Sequence, residues 1–118
     1  MVDELSGIRV FMSDVRVGDD RDAVQLIAQA HYEHQAEWVL FTPEQLGADF
    51  FELRTGRAGA IAQKFVDYHM GLAVVGDIAG KVAASTSLAD WVRESNRGRS
   101  LWFVPDLDAL AERLQNGQ

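Results

Sequence analysis

The chain has 118 residues, which suffice for one compact domain and are too few for two ordinary ones. It contains no cysteine, so disulfides, thiolate nucleophiles and sulfur-ligated zinc are excluded. Its 11 Lys and Arg against 18 Asp and Glu give a formal net charge of −7. That balance argues against a general nucleic-acid binder, whose affinity comes mainly from neutralising phosphates.

No part of the sequence indicates a targeting signal or a membrane span. The chain opens with acidic residues at Asp3 and Glu4, the reverse of the basic start of a signal peptide. Its apolar stretches are short and broken by glycine or charge, far below the ~20 residues that a transmembrane helix needs. We therefore expect a cytoplasmic protein.

Apolar runs predict the strands. Residues 7–12 read as a strand, and a short antiparallel stub at residues 3–5 precedes it, with a turn at Ser6 and Gly7. Three later runs are apolar throughout, which is typical of parallel strands covered on both faces. These runs lie at residues 38–41, 72–75 and 101–104.

Apolar residues at helical spacing predict the helices between and after these strands. The predicted helices span residues 21–35, 56–70, 87 to about 96–98, and a final stretch after residue 106. Gly71 is the expected stop of the second helix. Ser87 and Asp90 have the spacing of a capping box, and Asp106 is the expected cap of the last helix. Residues 42–51 and the Gly- and Ala-rich stretch after residue 75 are predicted as loops.

The alternation of strands and helices predicts an α/β fold in a single domain over residues 1–118. We expect a mixed, mostly parallel sheet of four or five strands with about four helices and right-handed crossovers. In open sheets of this kind, ligands bind beyond the carboxyl ends of the strands. Here that edge comprises the loops that start at Thr42, Gly76 and Pro105, together with the helix start at Gly56.

Two arginines flank the predicted start of the second helix. Arg54 and Arg57 stand at the positive end of the helix dipole, which disfavours cations by about 0.3–1 kcal/mol. Thr55 is the expected N-cap, with its hydroxyl accepting a hydrogen bond from the Ala58 amide. Together with the amide of Gly56, these groups predict an anion site. The anion would be a carboxylate on a partner, a phosphate on a ligand, or a phosphate on Thr55 itself.

Plainer interpretations of the same segment remain open. Thr55 would be only a helix cap, contributing about 1 kcal/mol. Asp49 and Glu52 would neutralise the two arginines locally, which would make the cluster a solvated salt-bridge face.

A glycine-rich segment at residues 76–82 follows a predicted strand but does not form a nucleotide-binding loop. Its glycines stand one residue too close together, and Val82 occupies the position where Ser or Thr would hold Mg²⁺. We expect Asp77 to cap the following loop or to pair with Lys81 or Arg54. Its place at a strand end puts it near the edge that carries the arginines.

Few residues of the chain are arranged in a pattern typical of catalysis. His31 and His34 are spaced to share a helical face and bind a metal. A third ligand would have to come from Glu33, Glu37 or the distant His69, and neither a cysteine nor a His-Glu-x-x-His pattern supports such a site. His31 continues an apolar stripe, and His69 completes that of the second helix, so core histidines are the preferred interpretation. No serine lies in a nucleophile elbow, and no catalytic triad or dyad is visible. We expect no cofactor.

Several segments of the chain resemble a small bacterial family known as domain of unknown function 4180. The resemblance is carried by residues 49–59 (Asp-Phe-Phe-Glu-Leu-Arg-Thr-Gly-Arg-Ala-Gly), 63–65 (Gln-Lys-Phe), 74–77 (Val-Val-Gly-Asp) and 94–98 (Glu-Ser-Asn-Arg-Gly). It extends over nearly the whole chain, from Gly7 to Leu114. Between residues 77 and 87 this chain is longer than is usual in the family, with Ile78 and Val82 where aromatic residues are common. The family name implies no activity.

A looser resemblance is to STAS domains, the fold of sulfate transporters and anti-sigma-factor antagonists. The element order is similar, and the helix after the second long strand begins with a hydroxyl residue followed by glycine, here Thr55 and Gly56. In the antagonists a partner kinase phosphorylates that hydroxyl, which turns partner binding off. Leu53 and Arg54 stand where Asp and Ser are usual, which favours a preformed anion site over a phosphoswitch.

The sequence therefore predicts a non-enzymatic, STAS-like regulatory or binding module. Its partner or anionic ligand is expected to dock at a rim made of Asp49, Arg54, Thr55, Gly56, Arg57 and Asp77. The alternative is a small phosphorylated metabolite or a lipid phosphate bound at the same rim. A metal-dependent hydrolase ranks last, and a homodimer through an edge strand or an outer helix face is left open.

Overall fold

The computed structural model describes residues 1–116, so the last two positions of the predicted domain lie outside the described residues. Its strands form one five-stranded sheet in chain order. They are β1 (Val2–Leu5), β2 (Ile8–Met12), β3 (Trp38–Phe41), β4 (Gly71–Val75) and β5 (Leu101–Val104). β1 pairs antiparallel with β2, and every later pairing is parallel. The predicted mixed, mostly parallel α/β sheet is confirmed.

The described residues contain more helices than the four that were predicted. They are α1 (Asp20–Ala28), α2 (Pro43–Leu46), α3 (Ala48–Phe51), α4 (Arg57–Asp67), α5 (Ala79–Ala84), α6 (Thr86–Arg97) and α7 (Leu107–Gln115). The additional ones, α2, α3 and α5, are short and lie in segments predicted as loops. A π-helical turn, Gln29–Glu33, continues α1. No helix within residues 1–116 has both the length and the apolar content that a membrane crossing requires.

Most of the predicted helix starts are correct. The carboxylate of Asp19 accepts a hydrogen bond from the Asp22 amide at 3.0 Å and caps α1. Asp106 caps α7 in the same way, as predicted. The cap of α6 lies two residues before the predicted one, because Ser85, and not Ser87, accepts from the Leu88 amide at 3.2 Å.

The end of α4 differs from the prediction. The helix stops at Asp67, and His69 takes the left-handed conformation that usually falls to glycine, with φ 55°. The amides of His69 and Met70 donate to the carbonyls of Val66 and Phe65 at 3.1 and 2.9 Å, which closes the helix in a Schellman motif. His69 is therefore exposed beyond the helix and not part of its buried stripe, and Gly71 already belongs to β4.

The two faces of the sheet are covered unequally. Parallel strands in chain order with right-handed crossovers place the connecting helices on one face. The larger core lies there, and Ile61 of α4 and Leu88 of α6 are almost completely buried in it. The other face packs against α7, with Trp102 and Leu110 fully buried. Trp38 stacks on Trp102 in this smaller core, with ring centroids 4.3 Å apart.

A side chain protects the free edge of β5. The Oδ1 atom of Asn96 accepts from the Phe103 amide at 2.8 Å, and its Nδ2 donates to the Phe103 carbonyl at 3.2 Å. The Asn96 amide therefore occupies the place of a neighbouring strand and satisfies backbone groups that an open edge would offer to another chain.

We expect Asn96→Ala to lower the free energy of unfolding by about 1–3 kcal/mol, because a half-buried N–H and C=O lose their partners together. Urea denaturation measures this change. The control is Gln63→Ala, which removes an exposed amide that donates only to Asp67 and should change stability by less than about 0.5 kcal/mol. Equal effects of the two variants would contradict a protective role for Asn96.

Candidate functional site

Two loops at the carboxyl ends of β2 and β3 are held together by Gln45 of α2. The Gln45 carbonyl accepts from the Val17 amide at 3.0 Å, and its side-chain Nε2 donates to the Ser13 carbonyl at 2.6 Å. The same side chain accepts from the Thr42 amide at 2.9 Å, as half of a capping box. The loop after β2, which carries Arg16, is therefore fixed against α2.

A cleft of about 350 Å³ opens between these loops and the start of α4, and we call it the arginine cleft. It is lined by Arg16, Val17, Gly18, Leu46, Gly47, Ala48, Asp49 and Arg57. Small residues form much of the wall, which lets another molecule approach the backbone closely. The cleft lies at the carboxyl edge of the parallel strands, where ligands bind in open α/β sheets.

The arginine cleft carries more positive than negative charge. The guanidinium of Arg57 lies 3.9 Å from the Asp49 carboxylate, beyond hydrogen-bond distance, and the Arg57 side chain is 38% exposed. Arg16 makes no ion pair or side-chain hydrogen bond within the described part of the chain. The cleft thus presents two guanidinium groups against one carboxylate, in a protein whose net charge is −7.

Arg54 does not line this cleft. Its side chain is 89% exposed and lies 3.6 Å from the carboxylate of Glu52. Arg54 therefore lies next to Glu52, and Arg57 next to Asp49, as expected if these acids neutralise the arginines locally. Such exposed pairs are worth about 0–1 kcal/mol, so a competing partner can displace them.

The predicted bond from the Ala58 amide to Thr55 is wrong. Thr55 ends a 3₁₀ turn, and Gly56, with φ 75°, is the actual N-cap of α4. The Thr55 hydroxyl lies 3.0 Å from the Asp49 carbonyl and 2.9 Å from the Glu52 carbonyl, and it accepts from the Arg57 amide at 3.2 Å. Thr55 therefore fastens the turn that positions Arg57.

Asp77 lies in a different place from the arginine cleft. Its carboxylate accepts from the Ala79 amide at 2.9 Å, so it caps the following segment, one of the two roles predicted for it. It lines a separate, mainly apolar groove of about 270 Å³ with Ile78 and Phe103. Lys81 does not form an ion pair with Asp77, since its ammonium lies over the Phe51 ring, 5.4 Å from the centroid.

The histidines do not form a metal centre in the described structure. His31 is exposed on the π-helical turn, so its interpretation as a core residue is wrong. His34 is half-buried and stacks on Phe11, with ring centroids 5.1 Å apart. Within residues 1–116, no group of three or more histidines and carboxylates is arranged to hold a metal ion.

Arg16 is the residue that sequence reasoning missed. It stands alone in a polar loop, far along the chain from Arg57, and carries no motif. The topology could have indicated it, because the loop that carries Arg16 follows β2 and therefore lies at the same edge of a parallel sheet as the loop that follows β3.

No curated protein and no solved structure matches this chain significantly. The model of one protein family, described as a domain of unknown function (DUF4180), matches residues 4–114. This match extends over nearly the whole chain. The chain therefore belongs to the DUF4180 family.

Proposed function

We propose that this chain is a non-enzymatic binding module that recognises a carboxylate-bearing segment of a partner protein at the arginine cleft. One observation carries the proposal: Arg16 and Arg57 line the same cleft, and neither guanidinium makes a side-chain hydrogen bond within residues 1–116. A guanidinium binds a carboxylate in two parallel hydrogen bonds, so each arginine offers a full binding fork.

The charges around the cleft favour a protein segment over a free anion. Asp49 lies inside the cleft, and Glu52 pairs with Arg54 on the adjacent turn. A compact phosphate would be repelled by Asp49, whereas a polypeptide brings donors that pair with Asp49 as well as acids for the arginines. Surfaces of alternating sign are typical of specific protein interfaces.

The topology supports a STAS-like regulatory role for the module. The order of the long elements agrees with the order that the resemblance implied, and α4, the long helix between β3 and β4, starts beside a hydroxyl residue and a glycine, Thr55 and Gly56. The Thr55 hydroxyl is already engaged with the backbone of its own turn. We therefore assign Thr55 a positioning role and place recognition on Arg16 and Arg57.

A fluorescent hexaglutamate peptide tests the proposal by anisotropy at an ionic strength of about 0.15 M, where charges more than about 8 Å apart are largely screened. Arg57→Glu and Arg16→Glu should each weaken binding by about tenfold or more, because each removes a charge-assisted contact and adds repulsion. Arg54→Glu is the matched control, since it makes the same charge change outside the cleft and should weaken binding by less than about twofold. The melting temperatures of all three variants should stay close to that of the wild type, because these side chains are not in the core.

The result that overturns the proposal is an equal loss of binding in all three variants, which would indicate attraction by general charge alone. Unchanged binding in Arg57→Glu would overturn it as well. The alternative is a small phosphorylated metabolite or a lipid phosphate at the same cleft, and the close approach allowed by Gly18, Gly47 and Ala48 favours it. A rise in melting temperature with phosphorylated compounds that disappears in Arg57→Glu would establish that alternative instead.

A further inference from the structure

A second cleft lies at the opposite end of the sheet from the arginine cleft. Trp38 and Gly71, at the amino ends of β3 and β4, line it together with Arg99, which precedes β5. Its volume is about 560 Å³, within the ~300–1,000 Å³ range that is usual for small-molecule sites. We call it the amino-end cleft.

The polar groups of the amino-end cleft are mainly cationic or neutral donors. Arg99, His31, His69 and Tyr68 line it, and Glu37 is the one carboxylate residue in its lining. The guanidinium of Arg99 has no ion pair or hydrogen bond among the described residues. The cleft therefore offers an anionic group an unoccupied binding fork beside two imidazoles.

An apolar pocket of about 190 Å³ adjoins the amino-end cleft and shares His31 and Tyr68 with it. Its other lining residues are Val24, Ile27, Ala28 and Tyr32. Tyr32 lines the apolar pocket and Tyr68 borders both compartments, yet the two residues are 77% and 54% exposed. Large aromatic residues left uncovered beside a pocket are typical of a binding site.

Irregular backbone builds this end of the molecule. The π-helical turn Gln29–Glu33 carries His31 and Tyr32, and turns of this kind occur frequently at functional sites. His69 ends α4 in the left-handed conformation, which glycine adopts without steric cost and histidine does not. The π-helical turn contributes His31 to both compartments and Tyr32 to the apolar pocket, and the end of α4 contributes His69 to the amino-end cleft.

We infer that the amino-end cleft and its apolar pocket bind a small organic acid with an apolar body, such as a medium-chain or aromatic carboxylate. The carboxylate lies against Arg99, and the apolar body enters the pocket under Tyr32 and Tyr68. This site is independent of the proposed partner-binding function, because the two clefts lie at opposite ends of the strands and share no lining residue.

Octanoate is the probe, used below the concentration at which it forms micelles. Calorimetry and tryptophan fluorescence measure its binding, since Trp38 lines the cleft. Octylamine has the same tail and opposite charge, and butyrate has the same charge and a short tail. Octanoate should bind more tightly than either by about tenfold, because only octanoate satisfies both compartments.

Matched variants locate the site. Arg99→Gln should weaken octanoate binding by about tenfold, while Arg97→Gln, an exposed arginine outside both compartments, should change it by less than about twofold. Tyr68→Ser should weaken binding, while Val66→Ser, at an exposed apolar position two residues earlier in α4, should not. All four positions are at the surface, so the variants keep the fold.

Three results would overturn the inference. They are equal binding of octylamine and octanoate, unchanged octanoate binding in Arg99→Gln, and a dimer in light scattering that dissociates in Tyr32→Ser. The dimer would show that a second copy of the chain covers the tyrosines. None of these results bears on the arginine cleft, whose own test uses the hexaglutamate peptide and the Arg16 and Arg57 variants.

Discussion

Replacing Trp102 with alanine should lower the free energy of unfolding by about 3–5 kcal/mol, the usual cost of removing a buried tryptophan. Trp102 is fully buried, and its ring stacks on Trp38 with the Arg113 guanidinium 4.3 Å from its centroid. Its indole N–H donates to the Gly98 carbonyl at 2.8 Å. Small domains are stable by about 5–15 kcal/mol, so this one change removes a large part of the total.

The effect of Trp102→Ala should be strongest in α7. Arg113 joins α7 to the sheet through the Trp102 ring, and its guanidinium also donates to the Asn96 carbonyl of α6; burial lowers the pKa of Arg113. Hydrogen exchange should therefore show the amides of α7 losing protection before those of α4. The control Trp102→Phe keeps an aromatic ring and loses the N–H donor, so it should cost less than alanine. Uniform loss of protection across the sheet would contradict this assignment.

Gly71→Ala should destabilise the fold by about 1–3 kcal/mol, even though it adds one methyl group. A Cβ at Gly71 would lie 2.2 Å from the nearest atom of the Trp38 ring, closer than real contacts allow. The ring of Trp102 stacks on Trp38 and restricts the movement by which Trp38 could relieve this clash. Urea denaturation measures the loss.

Gly59→Ala is the matched control for Gly71→Ala. Gly59 lies within α4, and a Cβ there would meet no atom within 4 Å. Alanine in a helix is favoured over glycine by about 0.5–1 kcal/mol, so this variant should be more stable than the wild type. The two glycine replacements should thus change stability in opposite directions, and the same sign for both would contradict the proposed clash with Trp38.

The sheet could be predicted from the sequence because its signal is local. The apolar runs at β3 and β5 give the exact strand bounds, since central parallel strands are buried on both faces. The short helices α2 and α5 were missed because four to six residues are too few to show a helical period. α2, for example, is capped by the hydrogen bond from the Gln45 amide to the Thr42 hydroxyl. In the sequence, Pro43 and Gly47 predict a loop at the same place.

The candidate site could be predicted only in part, because it combines distant segments. The local sequence indicated Arg57 and Asp49, and the structure places both in the arginine cleft. Arg16 joins them only because β2 and β3 run parallel and end at one edge. Because Gly56 takes the left-handed conformation, it is the N-cap of α4 in place of Thr55. The helix propensities of the residues do not predict this backbone conformation.

The match between strand order and chain order has a consequence for synthesis on the ribosome. Each new strand finds its neighbour already made, so the layer of α1, α4 and α6 can assemble progressively as the chain emerges. The opposite layer has no such early partner, because α7 follows all five strands of the sheet in the chain. Trp38 and Trp102 therefore stay uncovered until residues 107–115 have left the ribosome, which exposes apolar surface to other chains during folding.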